Sequence, residues 1–171
     1  MSFIFIIKYP KNHIYSPFKI QISKSMKPYL VLFLMIFFIS CSNDEDNYST
    51  ENDLEIQEYI KRNNLNATKT ASGLYIVITD QGNGAKPTSS SSVTVNYKGY
   101  FTDGSRFDQG QNVTFNLNQV ITGWSEGLTH FNEDTQGWLL VPSHLGYGSN
   151  GSNSIPGGSV LIFSIHLLKI N

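Results

Sequence analysis

Tyr97, Phe107, Asp108, Phe115, Trp124, Tyr147 and Phe163 are the residues whose types could do chemistry together in this chain. An indole is costly to expose, and its N–H needs a partner when buried. The run Val120–Leu128 passes from an apolar pair into a short helix, with Trp124 on its first turn. Placed there, the indole can floor a cavity instead of filling a core. Five further rings around it would make an apolar bowl with one carboxylate and one phenol at its rim, the arrangement of a ligand or active site. No Ser-His-Asp or Cys-His arrangement is evident, and His13, His130, His144 and His166 lack metal-ligand spacing. Nothing in these residues points to a covalent intermediate, a metal or a cofactor.

The elements that must position these residues follow from periodicity. Asn52–Asn64 reads as a helix with Asn52 as its cap, Glu55 completing a capping-box pair, and Ile56, Tyr59 and Ile60 as one apolar stripe. From Ser72 the period changes to two. Leu74–Ile78, Val93–Phe101, Val113–Leu117, Gly137–Val141 and Val160–Ile170 read as strands, with a hairpin turn at Asp103-Gly104. Ser125–His130 is the one short helix of this region. The fold class expected is α+β: a curved antiparallel sheet wrapped around one short helix, with an extra N-terminal helix. Gly82-Asn83-Gly84 is a turn and not a phosphate loop. Trp138 adds an apolar ring to its strand, as a packing or partner contact.

Charge divides the chain unevenly. All five lysines before residue 30 precede the apolar run Leu30–Ile39, whereas the part after Cys41 holds seven basic and thirteen acidic residues, a balance of −6. An acidic domain lacks the basic footprint of a nucleic-acid binder. The single cysteine excludes an intrachain disulfide. Lys24 and Lys27, the apolar run and Ser40 have the pattern of a secretory leader, residues 1–41, with 1–25 read as an overextended start. Phe38-Ile39-Ser40-Cys41 resembles a bacterial lipobox, in which Cys41 would be lipid-modified, although the family prefers Leu where Phe38 stands. The polar stretch 42–51 reads as a disordered tether. The expected location is the cell envelope, lipid-anchored outside the cytoplasm.

Four blocks in order resemble the FKBP-type peptidyl-prolyl cis-trans isomerases. They are Val95-Asn96-Tyr97-Lys98-Gly99 with Asp103-Gly104-Ser105-Arg106-Phe107-Asp108; Phe115–Leu128; Val141–Gly148; and Ile155-Pro156 with Leu161–Leu168. The resemblance covers residues 72–171. It implies isomerisation of X–Pro bonds in unfolded or exported polypeptides, with a macrolide as a further candidate ligand. Carried over by position, Trp124 would be the floor, Tyr97, Phe107 and Phe163 walls, and Asp108 a rim carboxylate. Phe115, Val120 and Ile155 would complete the pocket. The amide of Ile121 and the hydroxyl of Tyr147 would hold substrate carbonyls. Ser149–Ser154 departs from the family, being small and polar where many members carry an aromatic or a His. Two other readings fit the same bowl: an envelope chaperone or binding module with little turnover, and an interaction protein that uses the fold as a scaffold.

Overall fold

The computed structural model describes residues 44–171. The leader 1–41, its Cys41, and the first two residues of the expected tether lie outside the described residues. Element α1 spans Asp44–Arg62, followed by β1 (Thr68–Lys69), β2 (Tyr75–Asp80), β3 (Ser92–Tyr100) and β4 (Arg106–Asn116). Then come α2 (Thr122–Gly127), β5 (Gln136–Val141) and β6 (Leu161–Ile170). The strands form one antiparallel sheet of six in the order β1-β2-β5-β6-β3-β4.

The period-2 pattern sorts side chains to two faces. Leu74, Ile76, Leu139, Val141, Leu161 and Phe163 face one core with Trp124 and Leu128. Tyr75, Val77, Leu140 and Ile162 face a second core, where Ile56 of α1 is fully buried. One sheet is thus covered by a different helix on each face.

Helix α2 begins at Thr122, three residues before the expected start, and continues as a 3₁₀ turn over Leu128–His130. Gly123 and Gly127 are costly in a helix interior, about 1 kcal/mol each against Ala, yet they stand four apart on one face. A Cβ on Gly123 would come within 2.6 Å of Val141, and one on Gly127 within 2.6 Å of Leu139. The pair lets α2 lie directly on β5, and that close approach sets the depth of Trp124.

Strand β4 starts well before the expected Val113. Its pairing with β3 slips between Val95/Val113 and Tyr97/Gly110, so Gln111 and Asn112 bulge out. Asn112 has φ 53° and its N–H donates to Asn96 Oδ1 at 2.8 Å. The bulge breaks the alternation that a sequence reading needs. The turn at Gly104 is as expected, with Asp103 Oδ1 accepting from the Ser105 N–H and hydroxyl.

The expected tether 42–51 and the helix start at Asn52 are corrected. Residues 44–51 are helical, and Asn52 lies inside α1, 1% exposed. Composition marked this stretch as polar, but the helix is stabilised by distant contacts: Asn52 with the Ser143 and Gly158 backbone, and Asp53 with Lys69 at 2.5 Å and the Tyr75 hydroxyl at 2.8 Å. Lys69 beside Asp53 holds its carboxyl below the usual range. The end is as read. Asn64 has φ 51°, its N–H donates to Lys61 O, and Leu65 N–H donates to Ile60 O, which closes the helix as a Schellman motif.

Truncating Ile56 to Ala removes the plug of the second core and should cost about 3 kcal/mol in urea unfolding. A loss near zero would show that α1 is not part of the folded unit.

Candidate active site: an aromatic bowl over Trp124

The bowl is built by β3, β4, α2, β6, the connection from β4 to α2 and the connection from β5 to β6. Trp124 is 4% exposed and meets three rings edge-on: Tyr97 at 5.2 Å, Phe115 at 5.3 Å and Phe163 at 5.2 Å between centroids. Each of the three rings stands near perpendicular to the indole, at interplanar angles of 86°, 80° and 85°, a favoured T-shaped geometry. A cavity of about 420 Å³ opens there, lined by Tyr97, Asp108, Phe115, Gln119, Val120, Ile121, Trp124, Tyr147 and Phe163.

Eight of the ten residues singled out from sequence therefore line one cavity. Phe107 and Ile155 do not. Phe107 packs edge-on against Phe163 at 5.6 Å, and Ile155 packs on the core beside the bowl. Both support the wall without forming its surface. Gln119 also lines the cavity; it lies within the Phe115–Leu128 block, but a lone polar residue in the Leu117–Gln119 turn carries no sign that it faces the bowl.

Polar groups sit at defined points. Tyr97 donates its hydroxyl to Asp108 Oδ2 at 2.9 Å, and Asp108 Oδ1 accepts the Gln109 N–H at 2.8 Å. Burial, then the bond to Asp108 and that carboxylate's charge, push the Tyr97 phenol up to about 12. Tyr97 is thus a neutral donor committed to Asp108 across the physiological range. Tyr147 stands at the rim, 39% exposed. The Ile121 carbonyl accepts from the Trp124 and Ser125 N–H groups, while its own N–H has no acceptor among the described residues. The indole Nε1 of Trp124 is buried without a protein partner.

A second cavity of about 420 Å³ lies on the opposite face of the sheet, between Asn96, Gln109, Gln136, Trp138, Ser164 and His166. Trp138 packs on the second core and forms one wall of this cleft. Its surroundings are mostly amides and hydroxyls, and it lacks the aromatic floor and the free, convergent N–H donors of the first. His166 is bonded to Asp134 at 2.8 Å and His144 to the Ser72 carbonyl at 2.9 Å. Among the described residues no three His, Cys, Asp or Glu side chains cluster as a metal site.

The family model of FKBP-type peptidyl-prolyl cis-trans isomerases matches residues 83–168. The FKBP-type peptidyl-prolyl cis-trans isomerase FkpA of Aeromonas hydrophila is 39% identical over 131 residues, which are 73% of this chain and 49% of that protein. FkpA of Escherichia coli strain K12 is 35% identical over 118 residues, 67% of this chain and 43% of that protein. The chain thus spans about half the length of these relatives. Among solved structures, a peptidyl-prolyl cis-trans isomerase of Pseudomonas syringae pv. tomato superposes with a TM-score of 0.67 at 26% identity, covering 74% of this chain and 96% of that one. The crystal structure of Escherichia coli FkpA superposes with a TM-score of 0.65 at 30% identity, covering 84% and 70%.

An ultraviolet tyrosine titration should show a phenol ionising at about pH 12 that is lost in Tyr97→Phe. Because the folded pKa is raised, the stabilisation from neutral Tyr97 is complete below the ordinary value of 10.0 and is lost as pH rises through about 12. An unchanged high-pH limb in the variant would contradict the assignment.

Proposed function

The chain belongs to the FKBP-type peptidyl-prolyl cis-trans isomerase family, and on that premise we propose that its aromatic bowl isomerises X–Pro bonds in exported polypeptides. The observation that carries this reading is the buried Trp124 ringed edge-on by Tyr97, Phe115 and Phe163 beneath an open cavity. An X–Pro amide is planar through resonance, and rotation costs roughly 18–20 kcal/mol. Uncatalysed exchange takes tens to hundreds of seconds. Lowering this barrier needs no bond to the enzyme. The twisted amide has lost resonance and with it much of its charge separation, so an apolar bowl favours it over the planar ground state, which leaves hydration behind on entry.

In this reading Trp124 is the floor for the prolyl ring, while Tyr97, Phe115, Val120 and Phe163 shape the walls, with Phe107 and Ile155 behind them. The free N–H of Ile121 and the hydroxyl of Tyr147 hold carbonyls on either side of the rotating bond, which fixes one axis of rotation. Asp108 at the rim keeps the Tyr97 hydroxyl engaged and turned from the cavity floor. The Ser149–Ser154 segment, small and polar, leaves the outer side open to varied residues before and after the proline.

For location, the Phe38–Cys41 motif supports lipid attachment at Cys41, which would place the isomerase at the membrane on the non-cytoplasmic side. No helix among the described residues is long and apolar enough to cross a bilayer. The proposed substrates there are newly exported, proline-containing chains.

A protease-coupled assay of the full chain on an X–Pro tetrapeptide should show isomerisation above background. Trp124→Leu and Asp108→Val should each lower kcat/KM about tenfold or more. Background rates from the folded protein would instead favour a chaperone or binding module. Fatty-acid labelling of the chain should disappear in Cys41→Ser; label retained in that variant would exclude the anchor.

A further inference from the structure

An Asn inside a helix is less favourable than Ala, and burying its amide costs more unless both ends are bonded. Asn52 nevertheless sits in α1, 1% exposed. Its Oδ1 accepts the Ser143 N–H at 2.7 Å and its Nδ2 donates to the Gly158 carbonyl at 2.8 Å. These two residues are the ends of the segment that carries Tyr147 and Ile155. Inside it, Gly148 N–H donates to the Ser143 carbonyl at 2.8 Å, and Gly158 N–H donates to the Gly148 carbonyl at 3.0 Å. The four bonds close a circuit: Asn52 to Gly158, Gly158 to Gly148, Gly148 to Ser143, and Ser143 back to Asn52. Tyr147 is the residue immediately before one of its corners.

A second contact from the same helix fixes the circuit in place. Gly158 has φ 74°, and a Cβ there would stand 2.1 Å from the Tyr48 ring. The ring therefore lies flush on the glycine, one turn before Asn52 on the same face of α1. Both Tyr48 and Asn52 precede residues 83–168, the part that matches the family model.

We propose that Asn52 is a positioning residue for the bowl: from α1 it pins both ends of the Ser143–Gly158 segment and so sets where the Tyr147 hydroxyl stands over Trp124. The proposal rests on the isomerase reading of the bowl for its kinetic consequence. The rim group meets the substrate's carbonyl in the planar as well as the twisted state, so its displacement weakens binding of both and appears in KM.

The test uses the full chain with Asn52→Ala, Asn52→Asp and, as a control, Ile56→Ala, which removes apolar packing from the second core and leaves the Asn52 circuit in place. All assays are run well below the melting temperature of each variant. Asn52→Ala should raise KM about fivefold with kcat within about twofold of the parent. Asn52→Asp keeps the acceptor for Ser143 but faces the Gly158 carbonyl with another acceptor, and should show the same split. Ile56→Ala should leave KM unchanged. Measured relative to the β5 amides of the same variant, hydrogen exchange at Gly148 and Gly158 should accelerate in both Asn52 variants and keep the parental ratio in the control. A parental KM with parental exchange in folded Asn52→Ala would overturn the proposal, and so would an equal KM rise in Ile56→Ala. If the parent chain proves inactive, the isomerase reading fails, and the exchange rates alone decide whether Asn52 holds the segment.

Discussion

The structure depends on how deep the Trp124 indole lies. It is set by a six-residue helix that could not form stably alone and is held by packing on β5. Gly123 and Gly127 remove the side chains that would hold α2 away from Val141 and Leu139. With α2 pressed down, the indole stands in T-shaped contact with Tyr97, Phe115 and Phe163, and the space above it is left for a ligand. Raise the helix by one methyl group and the floor meets its walls at different distances. The chemistry proposed for the bowl asks for little else, because stabilising a twisted amide calls for shape and dryness more than for reactive groups.

Around that floor the polar groups are arranged so that few of them face inward unsatisfied. Asp108 takes the Tyr97 hydroxyl and Gln109 N–H, and burial keeps that phenol neutral. Among the described residues, the Ile121 N–H has no acceptor and the buried Trp124 indole N–H has no protein partner. The rim carrying Tyr147 is a glycine-rich segment that would wander without support. Its support comes from the far side of the sheet, through α1, which therefore serves the site as well as the second core.

Much of this was legible in the chain. The strands Leu74–Ile78 and Gly137–Val141 read as short apolar runs, because each presents one face to the core under α2 and the other to the core under α1. The bowl residues stand in blocks whose spacing follows the strands and turns that carry them, so Tyr97, Asp108, Phe115, Val120, Ile121, Trp124, Tyr147 and Phe163 converge as read. What escaped the reading has physical reasons. The first turns of α1 look like a linker because their stability comes from Tyr48 and Asn52 meeting residues 91 to 110 positions away. Arg106–Gln111 escaped as a strand because the bulge at Gln111-Asn112 interrupts its alternation. Depth is likewise silent in a motif: Phe107, Gln119 and Ile155 all belong to the matching blocks, yet Phe107 and Ile155 stand behind the surface while Gln119 stands on it.

The most direct measurement is an NMR experiment on the full chain with a proline-containing peptide present in excess. Exchange peaks should link the cis and trans forms of the peptide, and intermolecular NOEs should run from the proline ring protons to the Trp124 indole and the Phe163 ring. Exchange without any contact at Trp124, or proline contacts confined to the cleft beside Trp138, would contradict a bowl floored by Trp124 as the place where the bond turns.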